Sequence, residues 1–155
     1  MNDSSHIQED WTRRIEMDGF GEVRRFTVPR VCAVSAVAAT ILDCDQPRIL
    51  ADFDTDGAVI VGVARWKHDT IRGLWERHDG GDAILVLVAG QLTATFHEAH
   101  ADRVLQAGAG DVILIPRGIP HCFEIRTDEV SLLFLTPRSG NSRWSEDAQI
   151  VSRHP

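Results

Sequence analysis

From Pro47 onward the chain alternates short apolar runs with turn residues. The runs are Arg48–Phe53, Ala58–Trp66, Leu74–His78, Ala83–Ala89, Gln91–His97, a stretch around Val104–Leu105, Asp111–Ile115, His121–Arg126 and Val130–Thr136. Between them stand turn signals such as Asp54-Thr55-Asp56-Gly57, Asp79-Gly80-Gly81-Asp82, Gly90, Ala107-Gly108-Ala109-Gly110 and Pro116-Arg117-Gly118. Roughly eight or nine strands at a spacing of about 8–12 residues predict an antiparallel sandwich or barrel. Before Pro47 the texture differs. Val31–Leu42, VCAVSAVAATIL, is apolar and alanine-rich, which predicts a helix ended by Asp43-Cys44-Asp45-Gln46-Pro47. Phe20, Val23, Phe26 and Val28 mark a weakly periodic arm, and Pro137–Pro155 reads as a polar tail or an arm against a neighbour. The expected layout is an arm over 1–30, one domain over 31–137 and a tail over 138–155.

Composition narrows the class. A chain of 155 residues, 43% hydrophobic and 25% charged, can build one core without disulfide or zinc staples. The longest apolar run, Ala83–Ala89, is far shorter than the ~20 residues of a membrane span, so no membrane is expected. A formal charge of −7 without a basic block leaves no nucleic-acid footprint. Cys32, Cys44 and Cys122 are odd in number and form no CxxC pair. With a polar N-terminus lacking an export signal, they read as reduced thiols of a cytoplasmic protein. The absence of Tyr removes phenol acid–base chemistry.

Two clusters carry candidate chemistry. In Trp75-Glu76-Arg77-His78, strand parity puts Glu76 and His78 on one face and Trp75 and Arg77 on the other. Arg72 shares the face of Glu76 if the strand runs unbroken through Gly73. The second cluster is Gly110–His121: a strand, a Pro/Gly turn and a histidine that opens the next strand. Phe123 and Ile125 share the face of His121. His97 and His100 flank Glu98 in what reads as a solvated loop, and Trp66, Trp75 and Phe134 read as packing residues.

The spacing of Gly110, Pro116, Gly118 and His121 resembles the second cupin motif, G-x5-P-x-G-x2-H-x3-N, with Ile125 in the Asn position. Glu76, His78 and Gly90 keep the spacing of the first motif, G-x5-H-x-H-x3/4-E-x6-G. Glu76 then replaces the first histidine, Ala83 the glutamate and Thr70 the opening glycine. The chain resembles small single-domain cupins of the mannose-6-phosphate-isomerase-like kind. That resemblance implies an all-β jelly roll, a double-stranded β-helix barrel, here with an N-terminal helix and arm. It implies that Glu76, His78 and His121 converge inside the barrel as metal ligands and catalytic residues, for Fe, Zn, Mn or Ni. Two histidines and a carboxylate match the open sites of non-haem iron and zinc. Asp82 adjoins Ala83 but points to the opposite face. Arg72 and Phe123 are the expected substrate contacts.

The first functional expectation is a metal-dependent enzyme acting on a small organic molecule, of dioxygenase, isomerase or lyase/cyclase type. The alternatives use the same residues without metal, either for acid–base isomerisation, dehydration or cyclisation, or for ligand binding alone. Small cupins commonly pair through sheet edges, so a homodimer is expected.

Overall fold

The computed structural model describes residues 26–39, 51, 53–145 and 148–153. Eleven strands and one short helix follow one another as β1 (Arg30–Ala33), α1 (Val34–Ala38), β2 (Val59–Lys67), β3 (Leu74–His78), β4 (Ala83–Ala89), β5 (Gln91–His97), β6 (Asp102–Gly108), β7 (Asp111–Ile115), β8 (His121–Ile125), β9 (Glu129–Pro137), β10 (Asn141–Ser145) and β11 (Ala148–Arg153). They form a five-stranded sheet, β1-β7-β4-β9-β2, and a six-stranded sheet, β11-β10-β3-β8-β5-β6, with every pair antiparallel. This is the expected all-β jelly roll.

Alternation explains the assembly. On β4, Ala83, Leu85 and Leu87 are buried while Ile84 and Val86 are only half-buried. On β8, His121, Phe123 and Ile125 are buried, while Cys122 and Glu124 are not. The inward residues of the two sheets, among them Leu87, Leu92, Phe96, Ile113, Ile125 and Leu132, make the core. A smaller cluster lies on the outer side of the five-stranded sheet, where Phe26 covers Val112 and Leu114 beside Ile84 and Val86. Gly90 turns β4 into β5 at φ +84°, and a Cβ there would lie 2.3 Å from the Glu129 carbonyl oxygen. Only glycine fits that turn.

Two expectations need correction. The helix over Val31–Leu42 is instead strand β1 followed by the single turn α1, and residues 40–42 lie outside the described part. β1 pairs with β7, Val31 opposite Ile113, and alternates between the inner cluster (Val31) and the outer one (Cys32). A strand with apolar contacts on both faces has a continuous apolar sequence, so the helical reading of the run failed. The expected strand Arg48–Phe53 lies mostly outside the described residues, which include only 51 and 53 of it; nearby, Thr55 makes an isolated bridge to Gly81. The segment after Pro137 is not a loose tail: β10 pairs with β3 and β11 with β10. Phe20, Val23 and Cys44 lie outside the described residues, and neither Cys32 nor Cys122 forms a disulfide. No helix among the described residues is long and apolar enough to cross a membrane.

Candidate functional site

Register between strands brings the candidate residues together. Across the inner face of the six-stranded sheet, Arg143 on β10 stands opposite Glu76 on β3, Glu76 opposite His121 on β8, and His121 opposite Phe96 on β5. His78 stands opposite Asn141 in the neighbouring row. Residues directly opposite one another share a face, so this pairing alone makes a polar patch in an apolar interior. One ligand atom from each of Glu76, His78 and His121 lies within 4.8 Å of the others, and both histidines are buried. The imidazole centroids are 5.1 Å apart.

Each histidine is oriented by a hydrogen bond on its Nδ1. Asn141 Nδ2 donates to the Pro137 carbonyl at 2.9 Å, so its Oδ1 is the atom that accepts from His78 Nδ1, at 2.8 Å. His121 Nδ1 donates to the Ile119 carbonyl at 2.9 Å. Both protons therefore sit on Nδ1, which leaves both Nε2 lone pairs for a ligand. His121 Nε2 is buried with no hydrogen-bond partner among the described residues. Burial first, and then the nearby His78, push His121 down to about 4 from an ordinary value of 6.5. Glu76 Oε1 accepts from Nε and Nη2 of Arg143, and its other oxygen stays available.

These groups open on a cavity of about 310 Å³. Trp66, Leu85, Ile115, Phe123 and Phe134 supply its apolar wall, and Trp66 stacks on Phe123 with centroids 5.7 Å apart. Trp66 and Phe134 thus face the cavity in addition to packing against the core. Phe123 is where parity put it. Arg72 is not: Gly73, at φ +68°, breaks the strand before Leu74, so Arg72 sits exposed on a turn and does not line the cavity. Asp82 is also turned away, its carboxylate accepting from the backbone N–H of Asp54 at 2.9 Å and of Arg117 at 2.8 Å. His97 is the exposed last residue of β5, and it bonds Asp102, its register partner on β6, at 2.7 Å.

Asn141 and Arg143 were not visible as site residues in the sequence. Their one local signal is the alternation Asn141-Ser142-Arg143-Trp144, a polar face backed by a tryptophan that stacks on Trp75. Their position depends on a close approach of two backbones. Asp79 N–H donates to the Gly140 carbonyl at 2.7 Å, and a Cβ on Gly140 would lie 2.6 Å from the Gly80 nitrogen.

The family described as Cupin domain matches residues 62–136, which hold Glu76, His78, His121 and the apolar wall. Residues 62–136 are a cupin domain. Within it, the Asn position of the second cupin motif is a core residue, Ile125, 1% exposed. The glutamate position of the first is Ala83, fully buried on the strand that carries Leu85 into the cavity. β10, which brings Asn141 and Arg143, lies outside the matched cupin segment. No curated protein matches the sequence. Among solved structures, a mutant of Bacillus subtilis oxalate decarboxylase is similar at 18% identity over 57% of this chain and 24% of its own, with a TM-score of 0.49. Hydroxypropylphosphonic acid epoxidase from S. wedmorenis is similar at 15% identity over 50% of this chain and 42% of its own, with a TM-score of 0.43. The chain thus spans about a quarter of the decarboxylase.

The His121 environment predicts acid sensitivity in the metal-free protein. The unfolded chain takes up a proton as pH falls through 6.5, whereas folded His121 takes one up only near 4. Stability is therefore complete above 6.5 and lost as pH falls toward 4, by roughly 3 kcal/mol for the full shift. Urea midpoints in chelator at pH 7 and 4.5 should separate more for the wild type than for His121→Gln. Equal separations would remove His121 as the cause.

Proposed function

We propose that the chain is a metal-dependent cupin enzyme, of the small mannose-6-phosphate-isomerase-like kind, acting on a small organic molecule in its cavity. The observation that carries the reading is the clustering of one ligand atom from each of Glu76, His78 and His121 within 4.8 Å of one another, with Nδ1 of the two histidines held by Asn141 and Ile119. Two neutral imidazoles and a carboxylate are a donor set for Fe(II), Zn(II), Mn(II) or Ni(II). A bound divalent ion would supply Lewis acidity toward an oxygen of the substrate. The chain's residues do the rest. Glu76, His78 and His121 hold the ion, and Asn141 keeps His78 in its ligating tautomer. Arg143 orients the Glu76 carboxylate, while Trp66, Phe123 and Phe134 exclude water from the reacting face. The reaction type within this class is dioxygenase, isomerase or lyase/cyclase chemistry.

Elemental analysis of untagged protein after anaerobic reconstitution with each of the four ions should find close to one equivalent of at least one of them. Less than a tenth of an equivalent throughout overturns the reading. A metal-free reading has one observation in its favour, the buried His121 Nε2 without a hydrogen-bond partner among the described residues, an open acceptor for a ligand proton. Ligand binding or turnover that survives chelation selects it.

Two further proposals concern the setting. The compartment is the cytoplasm, in keeping with the thiols of Cys32 and Cys122. The partner is a second copy, joined along β2. That strand is the edge of its sheet, runs for nine residues, and leaves Val61 62% and Val63 81% exposed. Light scattering at micromolar concentration should give about twice the monomer mass, and Val63→Lys should halve it. A wild-type monomer that persists on concentration overturns the pairing.

A further inference from the structure

We infer that the cavity takes a small carboxylate or similar oxyanion with an apolar body, and that Arg143 binds its anionic group. This rests on the reading of Glu76, His78 and His121 as metal ligands. Arg143 is the one cationic side chain among the described lining residues, and it reaches the cavity from β10. Its side chain is 58% exposed, whereas that of Glu76 is 19% exposed, so the guanidinium sits on the solvent side of the pair.

Charge decides what such a cavity draws in. Coordinated to an ion through Nε2, with Nδ1 bonded to Asn141 and to the Ile119 carbonyl, both histidines are neutral ligands, and Arg143 balances Glu76. The four side chains then contribute little net charge of their own. A divalent ion leaves two positive charges beside a wall of Trp66, Leu85, Ile115, Phe123 and Phe134. Charge next to such a low-dielectric wall is costly unless an ion of opposite sign meets it. An anionic ligand supplies that sign, and its apolar remainder suits the wall.

Arg143 also has donors to spare. Nε and Nη2 are both directed to a single carboxylate oxygen, and Nη1 has no hydrogen-bond partner among the described residues. A guanidinium presents five N–H groups in a planar fork, so it can hold Glu76 and a ligand oxyanion together, or move from one to the other. Lysine at this position would keep the charge and lose the fork. Asn141 and the two imidazoles are committed through their own hydrogen bonds, which leaves Arg143 as the group that discriminates ligand charge.

The test uses the Zn(II)-loaded full chain, with metal content measured in every sample. Calorimetric titrations compare benzoate, cyclohexanecarboxylate and butyrate with the corresponding neutral amides. The wild type should bind at least one carboxylate tenfold or more tighter than its amide. Arg143→Gln, compared at equal measured zinc occupancy, should weaken that carboxylate about tenfold to a hundredfold more than it weakens the amide. Arg143→Lys should fall between. Equal affinity for acid and amide overturns the inference, as does an Arg143→Gln protein within twofold of wild type, or no carboxylate binding with zinc in place. A wild type that takes up no zinc or other ion fails at the metal measurement instead, which identifies the underlying site reading as the part at fault.

Discussion

Alanine at His121 should abolish stoichiometric metal binding while the protein stays folded. His121 Nε2 is a buried acceptor without a partner among the described residues, on a ring held by the Ile119 carbonyl beside Glu76 and His78, and the described residues offer no fourth His, Cys, Asp or Glu to that cluster. Loss of one donor from a set of three should weaken the ion by roughly a hundredfold or more, since even outer hydrogen-bond partners are worth about 10–100-fold. His78→Ala should do the same, and Asn141→Leu should sit in the 10–100-fold range by releasing the His78 ring. Glu76→Ala should be the most damaging, because it removes a ligand and leaves the Arg143 cation unpaired beside the ion. Adding Arg143→Ala to Glu76→Ala should then recover part of the loss. The measurements are metal equivalents after dialysis and far-ultraviolet circular dichroism. His121→Ala protein that keeps wild-type affinity within threefold removes the site as described.

Glutamate in place of Ala83 should change metal affinity and metal-free stability in opposite directions. Ala83 is fully buried on β4, two residues from Leu85, which lines the cavity, and strand parity turns both to the interior. It occupies the glutamate position of the first cupin motif. With an ion present, a fourth donor of negative charge should tighten binding by roughly tenfold or more. Without one, the same carboxylate adds bulk and an unpaired charge to a closed core, which should cost a few kcal/mol. Competition against a chelator gives the first quantity, and urea unfolding with and without metal gives the second. A variant that loses stability and gains no affinity would show that Ala83 does not face the ligand triad.

The barrel strands were legible because local rules set them. β4, β5 and β7 match the apolar runs Ala83–Ala89, Gln91–His97 and Asp111–Ile115 residue for residue. Gly90, Gly110 and Gly118 take positive φ at the turns after β4, β6 and β7, where side chains would be strained. The parity of Glu76 with His78, and of His121 with Phe123, follows from the pleat alone. Arg72 failed for an equally local reason, the break at Gly73. The Val31–Leu42 run failed because alanine content is a weak guide when an open strand edge, that of β7, is near.

By itself, then, the sequence determined the strands from β2 to β9, where they turn, and that Glu76 shares a face with His78 and His121 with Phe123, since each depends on neighbours a few residues away. That the three ligand candidates face the interior came from the resemblance to the cupin motifs. It could not place Asn141 and Arg143. Their partners His78 and Glu76 lie 63 and 67 residues off, and the register of β10 on β3 makes those pairs. Nothing in the polar run after Pro137 encodes that register locally. It comes from the closing of the six-stranded sheet, with Trp144 stacked on Trp75 outside and the Gly80–Gly140 backbone contact at the end of the strand. The tautomer of His78, the charge balance at Glu76 and the shape of the cavity mouth are set by that long-range pairing, because each requires two groups that meet only once the chain has folded.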